Sequence, residues 1–238
     1  MDKLGQDSNN FVYLVGLTLF GDKPPLVENH KKPGCTTLSA SVASVVMRIS
    51  NPRAMLDNNV RVQNEVAALQ LGRAALASYP KAIVPEVYGW SPTSGHGYGW
   101  ILEEAMVGKP LGTAFDSLSS ADQGILVAQM ASILKLIQEC PIPPSLKTYG
   151  GLSYDHDGLI VGAPLTFGFG GPYSTLEGMY RGTMSKQIEF CDGSKLLGGW
   201  QSSNLRSRLD AFLAGDKISD IIRNVPDQRL TLIHGDFG

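Results

Sequence analysis

From Phe11 to Leu19 the chain is dense in β-branched and aromatic residues, a pattern that predicts a strand, and Gly21-Asp22-Lys23-Pro24-Pro25 breaks it. Residues 26–41 have no readable period beyond a turn at Pro33-Gly34. A second strand is expected over Val42 to Ile49, buried on both faces near Val45-Val46-Met47 and stopped by Asn51-Pro52. A helix then runs from a cap at Asn58 or Asn59 to about Ser78. Val62, Val66 and Leu69 line one face of it, with Arg61 and Glu65 offset from that face. Two further strands, Ile83 to Tyr88 and Tyr98 to Leu102, flank the turn-rich Ser91-Pro92-Thr93-Ser94-Gly95. The composition changes at Met106-Val107-Gly108-Lys109-Pro110, which reads as a connector.

The second half is more helical. Ser120-Ala121-Asp122-Gln123 has the form of a capping box. Leu126, Met130, Ile133 and Ile137 follow at helical spacing until Pro141 ends the run. Residues 141–200, rich in Gly, Pro and aromatic side chains, are expected to be irregular, with short strands around Asp157-Gly158. Gly168-Phe169-Gly170-Gly171-Pro172 reads as a turn, because it does not connect a strand to a helix as a dinucleotide loop must. Asn204 to Leu213 is amphipathic through Leu205, Leu209 and Phe212, with Gly215 as its C-cap. A short helix near Ile218 to Arg223 precedes a last strand, Leu230 to Ile233.

Composition narrows the classes. The chain has 238 residues, 43% of them hydrophobic and 18% charged, which suits a globular protein with a real core. A net charge of −2 gives no broad basic surface and argues against nucleic acid as a partner. No apolar run is long enough for a membrane span, and the polar start Met1-Asp2-Lys3-Leu4-Gly5 is not a secretory signal. Three scattered cysteines form no disulfide framework and the four histidines have no metal-ligand spacing, so a cytoplasmic setting is expected and no protein metal ligand is assigned.

Four segments carry candidate chemistry, and their order matters most. Gly5-Gln6-Asp7-Ser8-Asn9-Asn10 precedes the first strand. Its backbone N–H groups and small polar side chains (Ser8, Asn9, Asn10) could cradle phosphate oxygens, or it is an ordinary Asx-rich turn. Arg48 is a lone cation among the apolar residues of the second strand. It is either an edge-strand side chain reaching water or a cation aimed at phosphates and held by a carboxylate. Glu65, in the next helix, supplies such a carboxylate. The fourth segment is Leu230-Thr231-Leu232-Ile233-His234-Gly235-Asp236, a strand delivering a His-Gly-Asp turn. There Asp236 would orient the proton of an attacking hydroxyl and His234 would brace the loop. Asp236-Phe237-Gly238 spells the protein-kinase metal motif. The earlier His-x-Asp loop with its Asn that this motif requires is missing, because His156-Asp157 runs into Gly158. Asp236 therefore takes the catalytic-loop role.

These blocks, in this order, resemble the aminoglycoside phosphotransferase or choline-kinase-like family, and most of all its divergent fungal branch. The similarity rests on Asp7-Ser8-Asn9-Asn10-Phe11-Val12-Tyr13, Val45-Val46-Met47-Arg48-Ile49-Ser50-Asn51-Pro52 and Arg61-Val62-Gln63-Asn64-Glu65-Val66. It continues through Gly99-Trp100-Ile101-Leu102-Glu103-Glu104-Ala105-Met106-Val107-Gly108, Gly170-Gly171-Pro172-Tyr173 and His234-Gly235-Asp236. The resemblance implies an α+β, bilobal protein-kinase-like fold. A small antiparallel β lobe, residues 1–107, would bind nucleotide, and a mostly helical lobe, residues 108–238, would be incomplete. It also implies ATP and Mg²⁺ as co-substrates and a small-molecule hydroxyl as acceptor. Ser8, Asn9 and Asn10 match the phosphate-covering turn, Arg48 the strand cation and Glu65 its ion-pair carboxylate. Glu103 to Met106 match the hinge whose backbone binds adenine, with Glu104 and Met106 as its contact residues. Asp236 and His234 match the catalytic loop.

The family continues past His-Gly-Asp to an Asn and a second, metal-holding Asp, and this sequence stops at Gly238. The chain is therefore expected to be a truncated phosphotransferase with weak or no turnover of its own. The alternative is a non-catalytic, pseudokinase-like module that binds nucleotide or a protein partner covering the second lobe.

Overall fold

In the computed structural model residues 2–6, 9–18, 32–93, 97–108, 111–197 and 199–233 are described. The fold is mixed α+β, and its first half is a five-stranded antiparallel sheet. The strands are β1 (Asp2–Gln6), β2 (Asn10–Gly16), β3 (Ser44–Ser50), β4 (Val87–Ser91) and β5 (Trp100–Glu104), in spatial order β1-β2-β3-β5-β4. Helix α1 (Arg61–Ala75) connects β3 to β4. Strand β3 thus lies in the middle of the sheet, which rules out an edge-strand setting for Arg48.

Several boundaries differ from the sequence expectation. β1 was not anticipated: Gly5 and Gln6, part of the expected phosphate turn, pair instead with Val12 and Phe11, while Asp7 and Ser8 lie outside the described residues. A polar, Gly-containing segment forms an edge strand here because β2 offers it a ladder, a long-range effect invisible to local propensity. β2 ends at Gly16, short of the expected Leu19, which lies outside the described residues. β4 starts at Val87, four residues after the predicted Ile83. The Val84 carbonyl is taken by the Arg73 guanidinium at 2.7 Å, and Pro85 has no N–H to give a ladder. β5 is displaced by two residues, leaving Tyr98 exposed before it. α1 begins after Val60 with no side-chain cap. Asp57 shapes the approach instead, its carboxylate accepting from Asn59 N–H at 2.9 Å and its carbonyl from Arg61 N–H at 3.0 Å.

The second half contains α2 (Ser120–Gln138), the hairpin β6 (Gly151–Tyr154) and β7 (Ile160–Ala163), and helices α3 (Leu176–Gly193), α4 (Asn204–Ala214) and α5 (Lys217–Arg223). The cap of α2 is Ser119 rather than Ser120. Its hydroxyl accepts from Asp122 N–H, and Gln123 turns back to the Phe115 carbonyl. Helix α3 occupies residues expected to be irregular. Its glycines suggested a loop, but Gly182 leaves the space that the Tyr173 ring fills, and Thr175 caps the start. Leu230 to Ile233 form no strand: among the described residues no ladder partner lies beside them, although Leu230 and Leu232 do pack into the core. Among the described residues no helix is long and apolar enough to cross a membrane.

Helix α1 is the pivot of the packing. On one flank Val62 and Val66 meet Val87, Trp90 and Ile101 of the sheet. On the other, Ala67 and Leu71 meet Cys140, Leu146, Leu152 and Ile160 of the second half. Burying such side chains stabilises by about 1.5–3 kcal/mol each. Polar side chains set the register of the second contact. Asn64 Oδ1 accepts from Leu152 N–H at 2.8 Å, and Gln63 Oε1 accepts from the Ser153 hydroxyl at 2.5 Å. The Tyr154 hydroxyl donates to Gln70 Oε1 at 2.9 Å.

Candidate active site

The antiparallel registers put Val46, Arg48, Ile101 and Glu103 on one face of the sheet, since Val46 lies opposite Glu103 and Arg48 opposite Ile101. Val62 and Val66 of α1 pack on that same face against Ile101. Glu65, between them in sequence, therefore reaches the sheet, and its carboxylate forms a direct ion pair with the Arg48 guanidinium. The two side chains keep 23% and 29% of their surface exposed, so the pair is sheltered yet partly reached by water. The strand cation and the helix carboxylate picked out by their order in the sequence do meet in space.

A third charge joins them. Glu103 Oε2 lies 3.8 Å from Arg48 Nη1, within ion-pair range but beyond a hydrogen bond, and this buried oxygen has no hydrogen-bond partner. Burial pushes the Glu103 carboxyl up to about 7; Arg48 opposes that shift and the Glu65 charge adds to it. The sequence reading placed Glu103 only in the hinge. Its real setting could have been read from strand alternation: in Trp100-Ile101-Leu102-Glu103-Glu104, Glu103 shares the face of buried Ile101.

Arg61 was also missed. Read as offset from the apolar face of α1, it is buried, and it ties the start of β2 to the loop after β3. Its guanidinium donates to the Asn10 side-chain oxygen at 3.0 Å, the Asn51 carbonyl at 3.2 Å, the Asn58 side chain at 3.3 Å and the Asn9 carbonyl. Asn51 N–H donates to the Asn9 carbonyl at 2.9 Å. Asn9 and Asn10 thus sit at the mouth of β2, with the Asn10 amide oxygen turned to Arg61. Asn58, expected as a helix cap, serves Arg61 instead.

At the end of β5, Glu104 pairs with Glu86 through its backbone N–H at 2.8 Å, and its carboxylate accepts from the Glu86 N–H at 3.2 Å. Met106 and Val107, beyond the ladder, are exposed. Ser8, His234 and Asp236 lie outside the described residues. A cleft of about 390 Å³ is lined by Glu65, Leu69 and Gly72 of α1, Ile133 and Ile137 of α2, and Leu232-Ile233, the residues just before His234. The run leading into His234 therefore borders the same cleft as Glu65.

Among the described residues no further carboxylate completes a metal site beside Arg48. Among the described residues the one cluster with metal-ligand proximity, Asp155-His156-Asp157, is the exposed turn between β6 and β7. There Asp155 Oδ1 accepts from the N–H groups of Asp157 and Leu159. Neither a protein-family model nor a curated protein matches the chain.

Proposed function

We propose that the chain has a kinase-like fold and descends from an ATP-dependent phosphotransferase acting on a small-molecule hydroxyl. The observation that carries this reading is the Arg48–Glu65 ion pair between the central strand and the helix joining β3 to β4. A partly exposed guanidinium held by a neighbouring carboxylate is suited to orient nucleotide phosphates. Met106 and Val107, exposed beyond the end of β5, would border a flat heterocycle, and Asn10 pairs with Ser50 at the end of β3, the strand that carries Arg48.

In this reading Arg48 holds the phosphates, Glu65 fixes Arg48, and Asp236 orients the acceptor hydroxyl. Mg²⁺ would neutralise charge on the transferring phosphoryl group. The carboxylates described beside Arg48 do not make a Mg²⁺ site: Glu65 is held in its ion pair with Arg48, and Glu103 is buried, with burial favouring its protonated form. In this reading the chain turns over weakly or not at all. A coupled ADP-release assay with a panel of small alcohols tests this, with Asp236→Asn as control. Fast turnover that requires Asp236 would contradict the weak-activity reading, while confirming the role given to that residue.

A second reading, a non-catalytic nucleotide- or partner-binding module, has its own support. Helix α2 buries none of its residues, and Ile125 and Val127 stay more than half exposed. A monomeric mass and no response to ATP would count against it.

A further inference from the structure

Two carboxylates compete for one guanidinium at the centre of the sheet. Arg48 is in contact with Glu65, while Glu103 is close enough to attract it but has no hydrogen bond to it. A buried, ionised carboxylate with an unpartnered oxygen is costly, and the two remedies open to Glu103 are to take a proton or to draw Arg48 across.

We propose that Glu103 is a positioning residue for Arg48: its proton decides how the guanidinium is shared between Glu65 and Glu103, and hence the charge the cluster presents to an anion. With Glu103 protonated, one cation faces one anion and the cluster is neutral, leaving Arg48 in its contact with Glu65. With Glu103 ionised, the cluster carries a net negative charge, Arg48 is pulled toward β5, and an incoming phosphate group is repelled. Among the described residues the charged groups facing Glu103 are few. On β3 it is Arg48, on α1 Glu65, and the paired residue on β4 is the apolar Val87. The ordinary role of burial in raising a carboxyl is consistent with a proton held on Glu103 near neutrality. The anion half of the proposal rests on the phosphate-facing role given to Arg48 above; the proton half does not.

The first test needs no ligand. In the full chain labelled at Glu carboxyl carbons and Arg Nε, Glu103 should titrate near neutrality, and the Arg48 Nε–H signal should move with the same midpoint. Glu103→Gln should abolish that step in Arg48. Glu65→Gln should lower the Glu103 midpoint, because the like charge is gone, and this variant carries the test if Glu103→Gln does not fold. A Glu103 midpoint in the usual carboxylate range, an unmoved Arg48 signal, or a Glu103 midpoint unchanged in Glu65→Gln overturns the proposal.

The second test uses ATP as the anion. The ratio of wild-type to Glu103→Gln affinity should fall about tenfold from pH 6 to pH 8, a comparison in which the titration of ATP itself cancels. A flat ratio overturns the anion half. If neither protein binds ATP at any pH, the phosphotransferase reading fails, while the ligand-free titration still decides the proton switch.

Discussion

Arg48 on the central strand and Glu65 on α1 form an ion pair that joins the sheet to the helix on which both halves of the chain pack. With about a quarter of each side chain in water, its contribution to stability is modest, about 1 kcal/mol. Its value for an anion site is larger, because a charge-assisted contact is worth roughly 1.5–3 kcal/mol. Arg48→Ala should therefore weaken ATP binding by about 10- to 100-fold while shifting the urea midpoint only slightly. The charge-swapped double variant Arg48→Glu with Glu65→Arg should recover stability but not affinity. Recovery of both would mean that the pair is structural only.

Glu103 makes stability depend on pH in a direction opposite to most carboxylates. Its folded value, about 7, lies above the ordinary glutamate value of 4.5, so the folded state binds more protons than the unfolded state between these limits. The stabilisation is fully present below pH 4.5, declines as pH rises, and is lost above 7. The full decline is on the order of 3 kcal/mol. Denaturant titrations from pH 4.5 to 8 should record it, and Glu103→Gln should flatten the profile over that window. An unchanged slope in the variant would assign the pH dependence to other groups.

Arg61 is predicted to be a structural anchor. Removing it strips the carbonyls of Asn9 and Asn51 and the side chain of Asn10 of a shared donor. Arg61→Ala should cost about 2–4 kcal/mol in urea unfolding, and Arg61→Lys should restore only part of it, since an ammonium cannot span the forked contacts.

Asn64 docks α1 on the β6 strand through the Leu152 N–H. Asn64→Ala leaves that donor without its partner and should destabilise by about 1–2 kcal/mol, with hydrogen exchange at Leu152 accelerating in step.

Legibility in the sequence followed the range of the forces involved. β3, α1 and α2 announced themselves through local periodicity, because each keeps an apolar face. The pairing of Arg48 with Glu65 was foreseeable because a charge within an apolar strand requires a partner, and the following helix offered one. β1 escaped because its polar residues owe their strand to a ladder with β2. α3 escaped because Gly182, a poor helix former, is there to admit Tyr173. Leu230 to Ile233 show the opposite error: the apolar run reads as a strand, and Leu230 and Leu232 do pack against the core, but a strand also needs a neighbour. The burial of Arg61 and Glu103 depends on which distant groups surround them, and only Glu103 left a trace, by sharing the face of Ile101.

The most direct measurement of the central claim is calorimetric titration of ATP into the wild-type chain and into Arg48→Ala under identical conditions. The account predicts saturable binding to the wild type that weakens at least about tenfold in the variant. Equal affinity in the two proteins, or no binding to either, would contradict it.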